Sequence, residues 1–403
     1  MKVAIIGGGA AGFFAAINVK ENHPDASVCI YEKTSKLLSK VKVSGGGRCN
    51  LTNGSTAIKT LSAAYPRGKN QLKKLLHSFS TQDIRDWFDA RGVSTYVQED
   101  QRVFPTTDSS QSVIDCFLHE CKRLHIHIHT NANIKEITIV ESDKLHLSFE
   151  QSEDSTVDKV IVATGGQAKK EGFAWLEKLG HHIHPPIPSL FTFNMPKHPI
   201  TALMGLSATE VLVSIQGAKL STTGPLLITH WGLSGPAVLK LSAFGAEILH
   251  QKDYHFGIQV NWINTLNQET ARENVHTLLS QSKNKNIRSL KPFGLAQRLW
   301  SYLLDRAEIV EDKKCANIGK KGLNKLVNIL TADTYDVRGK TTFKEEFVTC
   351  GGISFDSIHS HSMQSKTCPN LYFAGEVTNI DGITGGYNFQ AAWTTAYIAA
   401  KLS

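Results

Sequence analysis

Paired cysteines are missing from this sequence. Its seven cysteines (Cys29, Cys49, Cys116, Cys121, Cys315, Cys350 and Cys368) are odd in number and contain no CxxC pair. That pattern argues against a disulfide framework and a zinc site, and it points to a reducing cytoplasm. Long apolar runs are missing too. None approaches the roughly 20 residues of a membrane span, so no membrane partner is expected. The opening residues, Met1-Lys2-Val3-Ala4-Ile5-Ile6, turn into glycines too early for a secretory leader. There is no internal repeat and no low-complexity tract. Histidines are plentiful, but His125, His127 and His129, and then His181, His182 and His184, come without cysteines or a known ligand spacing, so no metal is expected. What remains is 403 residues, 41% of them hydrophobic, enough for two or three domains with real cores.

Acids are scarce between residues 271 and 330. There 12 lysines and arginines face 5 acids, so +7 of the chain's net +8 lies in this stretch. Such a surface suits a polyanion, and it equally suits a solvated helical face with no partner.

Apolar patterning predicts a buried parallel strand over 2–6, a helix over 12–19 and a second strand over 27–31 ending at Glu32. Helices are expected over 83–91 and 112–124, extended segments over 123–130 and 133–140, and a buried strand over 157–163 leading into Thr164-Gly165-Gly166. The texture changes at Pro185-Pro186-Ile187-Pro188. Strand signals follow at 210–215 and 254–260, and 264–330 reads as helical and polar. Strands return after Phe347, notably over 370–374, and 388–402 reads as a last helix. The expectation is an α/β domain interrupted by a large insertion.

Gly7-Gly8-Gly9-Ala10-Ala11-Gly12 fits GxGxxG in the context that gives the pattern meaning, after a strand and opening a helix. Gly7 permits the tight turn, Gly9 lets the backbone approach a pyrophosphate, and Gly12 lets helix and strand pack closely. Glu32 stands 20 residues after Gly12, where an acid accepts hydrogen bonds from an unphosphorylated ribose. That selects FAD or NAD over NADP. A second strand, loop and helix, with Gly375-Glu376 and Gly385-Gly386-Tyr387-Asn388, favours FAD. Glu376 would hold its ribityl chain, and the last helix would stabilise negative charge on a reduced flavin.

Ser44-Gly45-Gly46-Gly47-Arg48-Cys49-Asn50-Leu51-Thr52-Asn53, Thr229-His230-Trp231-Gly232-Leu233-Ser234-Gly235-Pro236 and Gly375-Glu376…Asp381-Gly382…Thr384-Gly385-Gly386-Tyr387-Asn388 closely resemble signatures of the YhiN/BaiN-like bacterial flavoproteins, over essentially the whole chain. The resemblance implies an α/β fold: a Rossmann-like, glutathione-reductase-like FAD domain (1–186 and 346–403), an inserted β-barrel-like domain (187–263 and 331–345) and a basic helical subdomain (264–330). It implies that Gly7, Gly9, Ala11, Gly12, Glu32 and Lys33 hold the AMP half of FAD. Lys40, Ser44, Gly45, Gly46, Gly47, Arg48 and Asn50 would line the flavin, and Ala163, Thr164 and Gly165 would pass near the cofactor. Gly375, Glu376, Thr384, Gly386 and Asn388 would hold the ribityl–isoalloxazine half.

Four residues are candidates for the chemistry. Cys49 lies beside Arg48, and a cationic neighbour lowers a thiol pKa, so Cys49 is expected to deliver a proton; the plain alternative is a small packed residue. Arg48 is expected to stabilise an anionic oxygen or to fix its loop. His230 faces substrate or packs. Tyr387 donates its hydroxyl near the flavin or packs on the loop. Members of the resembled family have been linked to dihydrouridine formation in large-subunit ribosomal RNA, to reduction of conjugated C=C bonds and to oxidation of small amines. The basic segment favours RNA. A small-molecule reductase or amine oxidase, and a non-catalytic flavin-containing RNA-binding factor, are the alternatives. No second dinucleotide fingerprint is present, so NAD(P)H, as electron donor, would bind transiently.

Overall fold

A computed structural model of the chain describes residues 1–342 and 348–403. The contacts divide it into two compact units, residues 1–189 with the described stretch 348–403, and residues 190–342. The boundary expected at 345/346 lies outside the described residues.

The first unit is built on a seven-stranded sheet. From one edge its strands are Ile358–His359, Gln364–Ser365, Leu371–Phe373, Lys159–Val162, β1 (Lys2–Ile6), β2 (Ser27–Tyr31) and His127–His129. β1 pairs in parallel with β2 on one side and with Lys159–Val162 on the other. Its four residues from Val3 to Ile6 are buried, which is why they read as a continuous apolar run rather than an alternation. Helix α1 (Ala10–Asn22) is apolar all round its middle because it too is buried on every side, from Ala11 to Val19. Phe14 packs edge-on against Trp87 and Trp393 with ring centroids 5.0 and 5.5 Å away. Trp393 belongs to the C-terminal helix Tyr387–Ala399, so residues almost 380 positions apart share one core.

Three further helices follow β2: α2 (Ser39–Gly47), α3 (Ile58–Ala63) and α4 (Lys69–Leu75). Leu61, Tyr65, Leu72 and Leu76 form a separate small cluster with Ile380 and Ala391. The proline-rich stretch is an edge strand. Ile183–Pro188 pairs antiparallel with Thr349–Ile353, and its register shifts between His184 and Ile187, so Pro185 and Pro186 sit where no ladder donor is required.

The second unit is a seven-stranded sheet ordered Asp333–Arg338, His255–Asn261, Ser207–Ile215, Ser221–Thr229, Gly232–Ser234, Thr192–Asn194 and Lys340–Thr341. Asp333–Arg338 alternates buried and exposed residues without exception, the mark of a sheet with one covered face. A barrel-like domain is expected here, and among the described residues no closed barrel is found. The two outer strands do not pair with each other; they are successive pieces of one segment, joined at Gly339 (φ 94°). Gly339 N–H donates to Tyr254 and its carbonyl accepts from Asn194, so one bent segment serves both edges of the sheet. Residues 264–330, expected as a basic helical subdomain of the insertion, lie in this same unit. Val275, Trp300, Leu303 and Leu330 share a single core with Val213, Ile258 and Val337 of the sheet. Among the described residues no helix is long and apolar enough to cross a membrane.

Candidate functional site

The first glycine loop has the geometry its spacing requires. At Gly7 (φ 116°) a Cβ would lie 2.4 Å from the Ala163 carbonyl oxygen, and at Gly12 it would lie 1.9 Å from the Gly7 oxygen. Neither place admits a side chain. At Gly9 a Cβ would meet nothing within 4 Å, so that backbone faces open space. α1 begins immediately after Gly9 with no side-chain cap and no acid in its first turn, leaving free N–H groups and a favourable dipole for an anion. Glu32 Oε2 accepts from Gly8 N–H at 2.8 Å, and Oε1 accepts from the Thr34 N–H and hydroxyl, both at 2.9 Å. The carboxylate is therefore fixed at the end of β2. A cavity of about 430 Å³ opens here, lined among others by Gly7, Glu32, Lys33, Asn133, Thr164 and Trp175. Its size and the fixed acid fit an adenosine half-site.

The C-terminal half meets the same helix. Gly375 (φ 77°) follows the strand Leu371–Phe373, and a Cβ there would come within 3.1 Å of the Ala11 side chain. Glu376 is held from two sides: Lys40 Nζ donates to Oε2 at 2.6 Å, and Thr349 N–H donates to Oε1 at 3.0 Å. Gly386 is wedged against Thr52, whose carbonyl oxygen would lie 2.2 Å from a Cβ. The C-terminal helix then starts at Tyr387, again without a side-chain cap or an acid in its first turn. The Asn388 amide is occupied internally, accepting from Gly382 N–H at 2.8 Å and donating to Gly382 O at 2.9 Å. Asn50, with its amide oriented to satisfy both ends, accepts from Gly386 N–H and donates to the Thr52 carbonyl. Thr384 is half-buried in the turn before Gly385. These side chains shape the loop; the backbone it presents is what a ligand would meet.

The 44–50 loop turns on positive φ angles at Gly45, Gly46, Gly47 and Cys49. Gly46 and Gly47 face open space, as does Gly165. Ser44 donates its hydroxyl back to Val41, and Ala163 is tied to β1 by its N–H to Ile6. Cys49 corrects the sequence reading. The thiol is completely buried, and burial pushes its pKa up to about 12 against a lowering hydrogen bond from Ser44. Arg48 does not lower it, because its side chain folds away: Nε donates to Gly45 O at 3.3 Å and the guanidinium lies over the Phe104 ring at 4.1 Å. Tyr387 stands edge-on to Tyr65 at 5.9 Å, and burial raises its hydroxyl pKa. His230 is exposed in the second unit, on the turn between Ser221–Thr229 and Gly232–Ser234, edge-on to Trp231. Every other candidate lies in the first unit.

Sequence reasoning missed a buried ion pair beside the C-terminal loop. Arg67 Nε donates to Asp381 Oδ1 at 2.6 Å, a second guanidinium nitrogen reaches Oδ2, and the Ser189 hydroxyl also donates to that oxygen. Burial pushes the Asp381 carboxyl up while Arg67 and Ser189 pull it down. Asp381 stood in a quoted motif, but nothing in the spacing named Arg67 as its partner. Thr52 donating to Gln390 at 2.6 Å was likewise hidden.

Fold and paired glycine loops define a Rossmann-type dinucleotide-binding protein. The chain belongs to the family described as the HI0933-like protein Rossmann domain, whose model matches residues 1–402, and the resemblance drawn from the motifs is borne out. Among curated proteins, it is 28% identical to a ribosomal RNA dihydrouridine synthase of Haemophilus influenzae, covering 98% of this chain and 96% of that one. It is 25% identical to a 3-dehydro-bile acid delta(4,6)-reductase of Clostridium scindens, covering 99% and 98%. The fold resembles that of 3-ketosteroid-delta4-(5alpha)-dehydrogenase from Rhodococcus jostii, with a TM-score of 0.52 at 14% identity over 99% of this chain and 96% of that one.

Proposed function

We propose that this protein is an FAD-dependent oxidoreductase that reduces a carbon–carbon double bond conjugated to a carbonyl, with uridine in large-subunit ribosomal RNA as the substrate. The observation that carries the cofactor is the convergence of two uncapped helix starts and two glycine loops on α1, with Glu32 and Glu376 each fixed by hydrogen bonds. When bound, FAD supplies a hydride. Glu32 would hold the adenosine ribose, the start of α1 the pyrophosphate, and Glu376 with Lys40 the ribityl hydroxyls. The start of the C-terminal helix would stabilise negative charge on the ring beside it. With the Cys49 thiol sealed, Tyr387 is the first unit's candidate acid to protonate the second carbon, and its raised pKa keeps it protonated at neutral pH.

The names of two kinds of relative support a shared chemistry. The C5=C6 bond of uracil is conjugated to a carbonyl, as is the double bond of a dienone steroid. RNA is favoured by the 271–330 surface, where Lys283, Lys285, Lys291, Lys313, Lys314, Lys320 and Lys321 make no ion pair among the described residues. Phosphates would release counterions from such a surface, and the target base would leave its stack to reach the cofactor. A small-molecule enone reductase is the second reading. The test is to identify the extracted cofactor, then incubate reduced enzyme with unmodified large-subunit rRNA. Mass spectrometry should find one uridine heavier by two hydrogens, and Tyr387→Phe should lose that product. FAD without any RNA product on fragments or intact subunits would move the assignment to the small-molecule reductase. His230→Ala in the same assay tests the second unit's candidate.

A further inference from the structure

The strongest unassigned feature is a charge segregation inside the first unit. From residue 33 to residue 82 the chain has ten lysines and arginines and no aspartate or glutamate. The next stretch, 83–120, reverses the sign, with eight acids against three arginines. Of the ten cations, three are neutralised, Lys40 by Glu376, Arg48 by Asp108 and Arg67 by Asp381. The rest are exposed lysines with no ion pair among the described residues. Four of them, Lys59, Lys69, Lys73 and Lys74, stand on the α3–α4 hairpin, whose leucines point the other way into the cluster with Ile380. Lys69 and Lys73 are four residues apart in α4, a like-charge spacing that destabilises a helix. No acid stands in the first turn of α4 to relieve it.

The hairpin is also anchored to the candidate site. Ile383 N–H donates to Ala64 O at 3.0 Å, the Tyr65 hydroxyl donates to the Tyr387 carbonyl at 2.7 Å, and Arg67 holds Asp381. Three ties thus fix this lysine platform to the loop that launches the C-terminal helix. We propose that the exposed lysine face of α3–α4 is a docking surface for the sugar–phosphate backbone of the RNA substrate, placed to set the register of the target nucleotide against the loop 381–387. This rests on the RNA reading above. Phosphate contacts of this kind position a nucleic acid without reading its sequence, and their number appears in the salt dependence of binding, at about 0.7 per contact on a single strand.

The test measures fluorescence anisotropy of a labelled large-subunit rRNA fragment with the purified, flavin-containing protein between 50 and 200 mM salt. Lys69→Gln, Lys73→Gln and Lys74→Gln together should weaken binding and flatten the log–log salt slope by about two, with flavin absorbance unchanged and the melting temperature no lower than wild type. A slope equal to wild type in this variant overturns the docking surface. If it flattens only in Lys283→Gln with Lys285→Gln on the second unit, the hairpin assignment fails while the RNA reading stands. Wild-type protein that binds no RNA sinks both, and capture of wild type by anionic phosphatidylserine vesicles in place of RNA reassigns the lysines to a lipid surface.

Discussion

At the scale of single residues, two burials decide behaviour. Cys49 sits in the left-handed region at φ 63° with no exposed surface. With its thiol pKa pushed up to about 12, no thiolate forms across the neutral range, so the folded protein should resist alkylation of Cys49 at pH 8 and lose that resistance in denaturant. Mass spectrometry of alkylated peptides decides it; modification of the native protein at the rate of a free thiol would contradict the burial. Arg67 and Asp381 form the other case. Removing one partner of a buried ion pair leaves an uncompensated charge and costs about 3–5 kcal/mol. Arg67→Ala should therefore be strongly destabilised in urea titrations, and adding Asp381→Asn should recover part of the loss. A pair of losses that simply add would show that the two side chains act independently.

At the scale of elements, the glycine loops make the sharpest predictions. Gly12→Ala places a methyl 1.9 Å from the Gly7 oxygen, so it should push α1 off β1 and abolish flavin retention on purification. Gly92→Ala, outside the cofactor loops, meets nothing within 4 Å and bears only the strain of φ 77°, about 1–2 kcal/mol. It should retain flavin, and equal loss in both variants would refute this distinction. The helix Ser110–Arg123 adds a pH prediction. Its Glu120 accepts from Arg123 and Arg91, and those hydrogen bonds hold its carboxyl below the ordinary value. A depressed carboxyl gives stability that is present above the unfolded pKa, about 4.3, and is lost as pH falls through the folded value. Glu120→Gln should flatten the acid limb of the melting temperature between pH 5 and 3; an unchanged limb would remove Glu120 from acid unfolding.

These elements also show what the sequence could express. β1, α1 and Glu32 were legible because buried parallel strands, glycine spacing and a trailing acid are local signals. The C-terminal loop was legible for the same reason. The Arg67–Asp381 pair joins positions more than 300 apart, and no local pattern carries that. The Cys49 environment was misread because adjacency to Arg48 says nothing about which way an arginine side chain folds. Closure of the barrel-like sheet was not legible, because it depends on one bend at Gly339 that brings a single segment to both edges. The acid-free stretch 33–82 was in plain view, yet the acidic stretch after it cancels much of its charge in any coarse total.

On the scale of the whole molecule, the first unit is assembled from two ends of the chain. The strand Leu371–Phe373 pairs with Lys159–Val162, and Gly375 packs on Ala11, while the intervening chain builds the second unit. During synthesis the N-terminal half must therefore wait with an unfinished sheet edge. At about 5–20 residues per second, the wait from residue 189 to residue 371 is on the order of ten to forty seconds. The second unit can fold in that interval; the cofactor site cannot. A nascent chain stalled before residue 371 should remain protease-sensitive in its first 189 residues and hold no flavin, and protection should appear only as the C-terminal helix leaves the ribosome.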